Sequence, residues 1–324
     1  MPPQLRQDLL SNEWVCVAPD RLKRPHSVIK PNHRKKTPKN NCPFEDPEKS
    51  GNKVLVNTKE VFIIENKFPA FSLKNYCPIT EKLGLYKISE AIGHHEILIT
   101  KNHDKNISDL GVAKLFPIFK TIQNRIIFFK KDSCVKYVSI FQNWGERAGA
   151  SIYHPHFQMF AIPIVPSIVS NLVNISENFY KKNKKCIHCH LIDWEIKQKN
   201  RIIFENKGAV AMIPFAAKEP FLVRVFPKKH ISSFENTKES DLIYTIQALD
   251  FVLKHIKKNL KNPDYNLHIR TAPVNIPSGI EKNKNYHWYF EITTKFTIFA
   301  GFEENTGIEI NPIDPIDATK IIKK

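Results

Sequence analysis

Apolar residues return at three- and four-residue steps along two stretches of the chain. Between Lys238 and Asn259 the positions Leu242, Ile246, Leu249, Leu253 and Ile256 fall on one helical face. The stretch from Ser108 to Phe129 reads the same way. Each predicted helix is preceded by a short β-type run. The runs are His95-Glu96-Ile97-Leu98-Ile99-Thr100 and Phe221-Leu222-Val223-Arg224-Val225. A histidine, His103 or His230, separates each run from its helix. After each helix comes a short strand-like segment with a histidine motif. The first is Tyr153-His154-Pro155-His156-Phe157-Gln158, and the second is Tyr286-His287-Trp288-Tyr289-Phe290-Glu291.

The two sets of elements are copies of one plan. Upstream of each set lies a cysteine motif, Asn41-Cys42-Pro43-Phe44-Glu45 or Lys185-Cys186-Ile187-His188-Cys189. A Glu-Asn-Lys triplet follows each, at Glu65-Asn66-Lys67 and Glu205-Asn206-Lys207. The order is Cys motif, strands, His, helix, His-bearing strand, twice over. It predicts an α+β fold of two tandem units, each an antiparallel sheet with a packed long helix. The units are expected to span 1–165 and 166–324. The segment from Pro163 to Lys185 joins them, and Ile162-Pro163-Ile164-Val165-Pro166 at its start breaks regular structure.

Composition adds limits. The 324 residues suit roughly two domains of about 150 residues. A hydrophobic fraction of 42% excludes a disordered chain. No apolar run is long enough for a transmembrane helix, and Met1 to Leu10 lacks a signal-peptide core, so a cytoplasmic protein is expected. Six cysteines in such a chain predict metal ligands or plain thiols rather than a disulfide framework. The formal charge of +17 admits a polyanion partner, a phosphorylated substrate or compositional drift. The lysines are scattered, which favours drift. The clusters Arg34-Lys35-Lys36 and Lys181 to Lys185 read as solvated loop charge.

Cys186 and Cys189 have the spacing of a structural zinc knuckle. The repeat nominates His230 and His287 to complete a Cys2His2 set. In the first half the same frame gives Cys42, Glu45, His103 and His154. A carboxylate in place of a thiolate is a harder ligand, so this site is expected to hold metal more weakly. His188, His190, His94, His95 and Asp104 are spares. Cys16, Cys77 and Cys134 read as plain thiols.

The pair His154 and His156 is expected to send its imidazoles to opposite faces, one toward metal and one toward a cleft. Upstream, Gln142 to Ser151 is rich in small residues and suits close approach of a phosphate. Asn143, Ser151 and Gln158 supply neutral hydrogen-bonding groups. An imidazole among them suits attack on phosphorus, giving a phosphoramidate. Aligning His154 with His287 sets His156 opposite Tyr289 and Gln158 opposite Glu291. One half then carries the nucleophile and the other does not.

At these residues the chain resembles the galactose-1-phosphate uridylyltransferases of the histidine-triad superfamily. The likeness runs nearly end to end. Leu5-Arg6-Gln7-Asp8, Glu13-Trp14-Val15 and Pro19 to Pro25 are similar to the family's N-terminal signature. Asn41-Cys42-Pro43-Phe44 resembles its zinc motif, with Glu45 in place of the second cysteine. Asn66 to Ala70, Ala148 to Gln158, Tyr286-His287-Trp288, and Ala300-Gly301-Phe302-Glu303 to Asn311-Pro312 resemble further signatures. The resemblance implies ping-pong nucleotidyl transfer from a nucleoside diphosphate sugar to a sugar 1-phosphate. His156 would be the nucleophile, with Gln158 and Ser151 on the phosphoryl oxygens and Asn143 helping. Arg21 and Arg24 would contact phosphates. Asn66 and Phe68 would line the nucleotide pocket, and Glu303 would reach sugar hydroxyls across a homodimer. The zincs would be structural. Phe157, where relatives carry a small residue, sets a bulky ring near the nucleophile. Lys67 replaces an acidic residue near the ribose.

Four functions are thus distinguishable. The first is a UDP-glucose–hexose-1-phosphate uridylyltransferase of galactose metabolism, with no nucleic-acid or membrane partner. The second is an ADP-glucose phosphorylase-like enzyme or adenylyltransferase with another acceptor. The third is a zinc-stabilised nucleic-acid-binding protein, which would leave the His-Pro-His-x-Gln motif unexplained. The fourth is a degenerate paralogue without turnover.

Overall fold

In the computed structural model of the chain, residues 2–23, 34–276 and 281–324 are described. Their elements follow the period changes of the sequence. The N-terminal strands are β1 (Gln4–Gln7) and β2 (Trp14–Val17). Then come β3 (Val54–Asn57), β4 (Val61–Glu65), a small exposed hairpin of β5 (Glu81–Leu83) and β6 (Tyr86–Ile88), and β7 (His94–Thr100). Helix α1 (Val112–Phe129) precedes β8 (Tyr137–Trp144) and β9 (His156–Ile162). Helices α2 (Ser167–Asn183) and α3 (Ile187–Gln198) lead to β10 (Ile202–Glu205), β11 (Ala209–Met212) and β12 (Val223–Pro227). Helix α4 (Glu239–Asn259), β13 (Tyr265–Arg270) and β14 (Tyr289–Thr294) follow. The chain closes with α5 (Gly301–Thr306), β15 (Glu309–Asn311) and α6 (Pro315–Lys323).

The fold is α+β, built on one large antiparallel sheet. Ten strands run in the order β10-β11-β12-β14-β13-β8-β9-β7-β4-β3. The five from β3 to β9 make one side and the five from β10 to β14 the other. The order mirrors about the seam, where β8 pairs with β13 through Phe141↔His268 and Asn143↔Asn266. Beside it, β15 pairs in parallel with β2, so the two ends of the chain share a three-stranded sheet with β1.

Alternation along each strand decides the faces. On β9, Phe157, Met159 and Ala161 join a core with Phe119, Ile122 and Ile126 of α1. Leu242, Ile246, Leu249, Leu253 and Ile256 of α4, the periodic set, belong to the same core and are at most 1% exposed. His156, Gln158 and Phe160 therefore face the other side of the sheet. Phe157 is fully buried, edge-on to Phe119 at 6.0 Å. Its ring lies on the helix face, away from the cleft that the sequence assigned it to.

The joining segment after Pro166 is helix α2, whose Val169, Leu172, Val173 and Ser176 are buried at helical spacing. Three expectations need correction. Lys181 and Lys182 lie in the last turn of α2 rather than in a loop, where they complement the helix dipole. Arg34 is not solvated loop charge: its side chain is 9% exposed, ion-paired to Asp264 and 4.5 Å over the Trp144 ring. Cys77 and Cys134 are joined as a disulfide with Cα atoms 5.3 Å apart, so they are not plain thiols. Cys16, Cys42, Cys186 and Cys189 remain free. Among the described residues no helix is long and apolar enough to cross a membrane.

Candidate active site and metal centres

Two clusters of cysteine and histidine flank the sheet, one in each half. Cys186, the N-cap of α3, and Cys189, in its first turn, meet His230 from the end of the β12 connection and His287 just ahead of β14. Cys189 Sγ lies 3.5 Å from His230 Nδ1 and 3.6 Å from His287 Nδ1. His188 is buried beside the set, 3.9 Å from Cys186 Sγ, and is not one of the four. The first cluster gathers Cys42, His103 and His154, with Cys42 Sγ 3.6 Å from His154 Nδ1. Glu45 joins it: its Oε2 is 3.2 Å from His103 Nδ1 and 3.8 Å from His154 Nδ1.

The protonation pattern suits a metal at both places. Each of the four histidines has its Nε2 on a backbone carbonyl: His103 on Thr37, His154 on Thr100, His230 on Lys284 and His287 on Pro227. A carbonyl only accepts, so Nε2 carries the proton and Nδ1 presents its lone pair to the cluster. His103 Nδ1 is buried with no hydrogen-bond partner among the described residues. A buried lone pair aimed at a thiol and a carboxylate is what a cation would satisfy. The chain therefore holds two groups able to bind metal, one with two sulfur donors and one with a carboxylate replacing a thiolate.

His156 opens β9 two residues after His154. Strand alternation does not separate the two rings, because residues two apart on a strand share a face. His154 lies in the bend before the strand and His156 starts it, and both rings lie against Phe44. His156 Nδ1 donates to the His154 carbonyl at 2.8 Å. That leaves Nε2 unprotonated. Burial holds the imidazole below its usual pKa, so it is neutral near pH 7. Phe44, from the first cysteine motif, packs edge-on against His156 at 5.1 Å.

Gln158 is on the same face as His156, with its Oε1 3.2 Å from His95 Nε2. Asn143, on the neighbouring strand, accepts through Oδ1 from Asn266 Nδ2 at 2.8 Å, which also donates to the Ala148 carbonyl. The Asn143 amide nitrogen is left toward Gly149, where a Cβ would sit 3.6 Å away. Gly145 is obligatory: with φ near +89°, an added Cβ would fall 1.7 Å from Asp264 Oδ1. Asp264 in turn accepts from the Arg147 amide at 2.9 Å and from Arg34 Nε at 3.0 Å. Ser151, exposed, shares a cavity of about 270 Å³ with Arg34 and Trp144.

Other nominated residues lie further out. Asn66 accepts from the Phe68 amide at 2.9 Å, while the Phe68 ring is exposed. Arg21 stands half-exposed in a short 3-10 turn, Pro19–Lys23. Arg24 lies outside the described residues. Glu303 caps its own short helix, accepting from the Ala300 amide at 3.1 Å, and no contact among the described residues joins it to His156. Arg34, Asp264 and Asn266 were not nominated for the site, and His95 was named only as a spare metal ligand. The signal for Asn266 and Asp264 was absent, because both come from the other half.

The matched positions in the second half do different work. Tyr289 and Glu291 occupy β14 as His156 and Gln158 occupy β9. Glu291 is gripped by Arg224 at 3.0 Å and by Arg270 at 2.7 Å. Although burial opposes its charge, the two guanidiniums hold its carboxyl far below the usual range. Arg224 also pairs with Asp8 at 2.8 Å, tying in the N-terminus.

The family described as galactose-1-phosphate uridyl transferase, N-terminal domain, matches residues 2–166. A domain of unknown function (DUF4921) matches residues 114–324. The chain is 30% identical to the ADP-glucose phosphorylase of Arabidopsis thaliana, covering 99% of this chain and 93% of that protein. It is 25% identical to the galactose-1-phosphate uridylyltransferase of Thermotoga maritima, covering 99% and 98%. Among solved structures, the ADP-glucose phosphorylase from Arabidopsis thaliana with bound ADP-glucose superposes with a TM-score of 0.83 at 28% identity, covering 100% and 99%. A uridylyltransferase structure gives 0.76 at 25% identity, covering 98% and 97%. Fold and relatives together define an enzyme of the nucleotidyltransferase and phosphorylase type. The chain belongs to the galactose-1-phosphate uridylyltransferase family.

Proposed function

We propose that His156 Nε2 attacks the α-phosphorus of a nucleoside diphosphate sugar. The observation that carries this is the His156 Nδ1 bond to the His154 carbonyl, which leaves the nucleophilic lone pair on Nε2. The N–P bond forms as the bond from phosphorus to the bridging oxygen breaks. The electron pair leaves with the sugar 1-phosphate. Positive charge that develops on the ring is met by the same carbonyl. Gln158 and Ser151, with the Asn143 amide, donate to the phosphoryl oxygens as negative charge shifts there. An incoming phosphate oxygen then attacks phosphorus, the N–P bond breaks, and the neutral imidazole returns.

The first reading of the substrates is UDP-glucose and a hexose 1-phosphate, as in galactose metabolism. A second is favoured by the 30% identity to an ADP-glucose phosphorylase over 99% of this chain: ADP-glucose as donor and phosphate as acceptor. Arg21 and Arg24 would reach the phosphates, Asn66 and Phe68 the nucleotide. Glu303 would reach sugar hydroxyls of a partner copy, and the exposed Ile298, Phe299 and Phe302 beside it support a homodimer. The metals would be structural zinc, held by Cys186, Cys189, His230 and His287, and by Cys42, Glu45, His103 and His154. We divide the chain into tandem histidine-triad-like domains, 1–165 catalytic and 166–324 structural, and place it in the cytoplasm.

The test is labelling with α-labelled UDP-glucose and, separately, ADP-glucose. Acid-labile label on the protein is expected with at least one, and none with His156→Ala. No label with either, or label that persists in the variant, would sink the mechanism.

A further inference from the structure

His95, named from the sequence as a spare metal ligand, belongs to neither metal cluster, yet it is 7% exposed and makes polar contacts through both ring nitrogens. It sits on β7 beside β9, where the register sets Ile97 against Gln158. Its ring stacks on Phe160 at 3.7 Å. Its Nδ1 is 3.2 Å from the Ala70 amide, a group that can only donate. That contact puts the ring proton on Nε2, which faces Gln158 Oε1 at 3.2 Å. The Asn66 amide nitrogen is 2.9 Å from the same Nε2, but an amide NH2 cannot accept, so the ring proton is left to the Gln158 oxygen. Burial keeps the ring below its ordinary pKa, so it carries a single proton near pH 7, and Gln158 Oε1 is its acceptor.

A glutamine amide can present either its oxygen or its NH2 to a ligand. Fixing the oxygen on His95 decides the matter: the NH2 is the free end. No partner for that NH2 occurs among the described residues. A phosphoryl oxygen needs a donor there, not an acceptor.

We infer that His95 is the positioning residue of this site: it holds the Gln158 side chain with its NH2 toward the phosphoryl group and couples it to the Asn66–Ala70 segment. His95 touches no reacting atom. Its effect is transmitted through Gln158, and it rests on the proposed reading of His156 and Gln158.

Two variants separate the hydrogen bond from the ring. His95→Phe keeps an aromatic face on Phe160 and removes the donor. His95→Gln loses the ring and can restore an N–H near the Nε2 position. Each is compared with wild type for single-turnover labelling by whichever nucleotide sugar labels wild type, and for thermal midpoint. In His95→Phe the labelling rate constant at saturating donor is expected to fall about fivefold to tenfold, the loss of one well-placed hydrogen bond. The donor concentration for half-maximal rate should change less than about twofold, because the contact acts on the transition state rather than on binding. His95→Gln should recover most of the rate. An unchanged rate in His95→Phe, or a loss confined to donor affinity, overturns the inference. So does a loss that His95→Gln shares in full. If His95→Phe does not fold, His95→Gln alone still decides, since the inference requires it to stay near wild type. Absence of label in wild type would strike the proposed function instead.

Discussion

Reducing the Cys77–Cys134 disulfide should lower the stability of the whole protein measurably. The bond spans 57 residues. It ties the excursion that carries Phe68, Ala70 and the exposed β5–β6 hairpin to the turn between α1 and β8. Treated as a purely entropic constraint, closing a loop of that length removes about 4 kcal/mol of chain entropy from the unfolded state. A chain of 324 residues has an unfolding entropy of about 0.7 kcal/mol per kelvin near its midpoint, so the shift should be about 6 °C. The assay is calorimetry with and without reductant, on wild type and on a Cys77→Ser/Cys134→Ser double variant. Wild type should lose about 6 °C on reduction, by the same conversion of entropy to midpoint. The variant should start lower and not respond, and mass spectrometry after alkylation should find two more reactive thiols in reduced wild type. The double variant separates this effect from reductant acting on the metal-site cysteines. A midpoint indifferent to reductant, with all six thiols alkylated beforehand, would refute the pairing.

Three further outcomes are expected. Phe157→Ala should cost about 3–5 kcal/mol by opening a cavity against Phe119, and leave the preference between uridine and adenine donors unchanged; a switch in preference would return the ring to the cleft. Metal analysis should show one equivalent lost from Cys189→Ala and a different one from Cys42→Ala, and the Cys42 site should be emptied first by a graded chelator because of Glu45. His268, packed on Phe141 and beside Arg270, is held down to about pKa 4, chiefly by burial. Its folded value lies below the unfolded one, so its contribution is intact above about pH 6.5 and lost as the pH falls toward 4. Up to about 3 kcal/mol of pH-dependent stability should disappear in His268→Phe, read from denaturant midpoints at about pH 7 and about pH 4.5.

Local pattern was enough wherever the structure repeats itself. The α4 face from Leu242 to Ile256 and the two Cys/His clusters could be read because spacing and internal repetition marked them. Helix α2 starts directly after the Pro163–Pro166 break, and Leu172, Val173 and Ser176 carry its period. Contacts created by strand register were invisible. Nothing adjacent to His95 points to Gln158, and nothing near Arg34 points to Asp264. The disulfide was missed for the same reason: Cys77 and Cys134 stand in dissimilar surroundings, and only the fold brings their Cα atoms to 5.3 Å.

The β8–β13 seam makes the proposed site depend on both halves of the chain. Asn143, proposed to serve the phosphoryl group, is held by Asn266, and the Gly145 turn is packed against Asp264, both from the second half. A gene encoding the first half alone would lose these clamps and leave β8 with an open row of amides and carbonyls, ready to recruit a neighbour. The second half, with Tyr289 and Glu291 where the first has His156 and Gln158, thus serves as the jig that aligns Asn143 and the Gly145 turn.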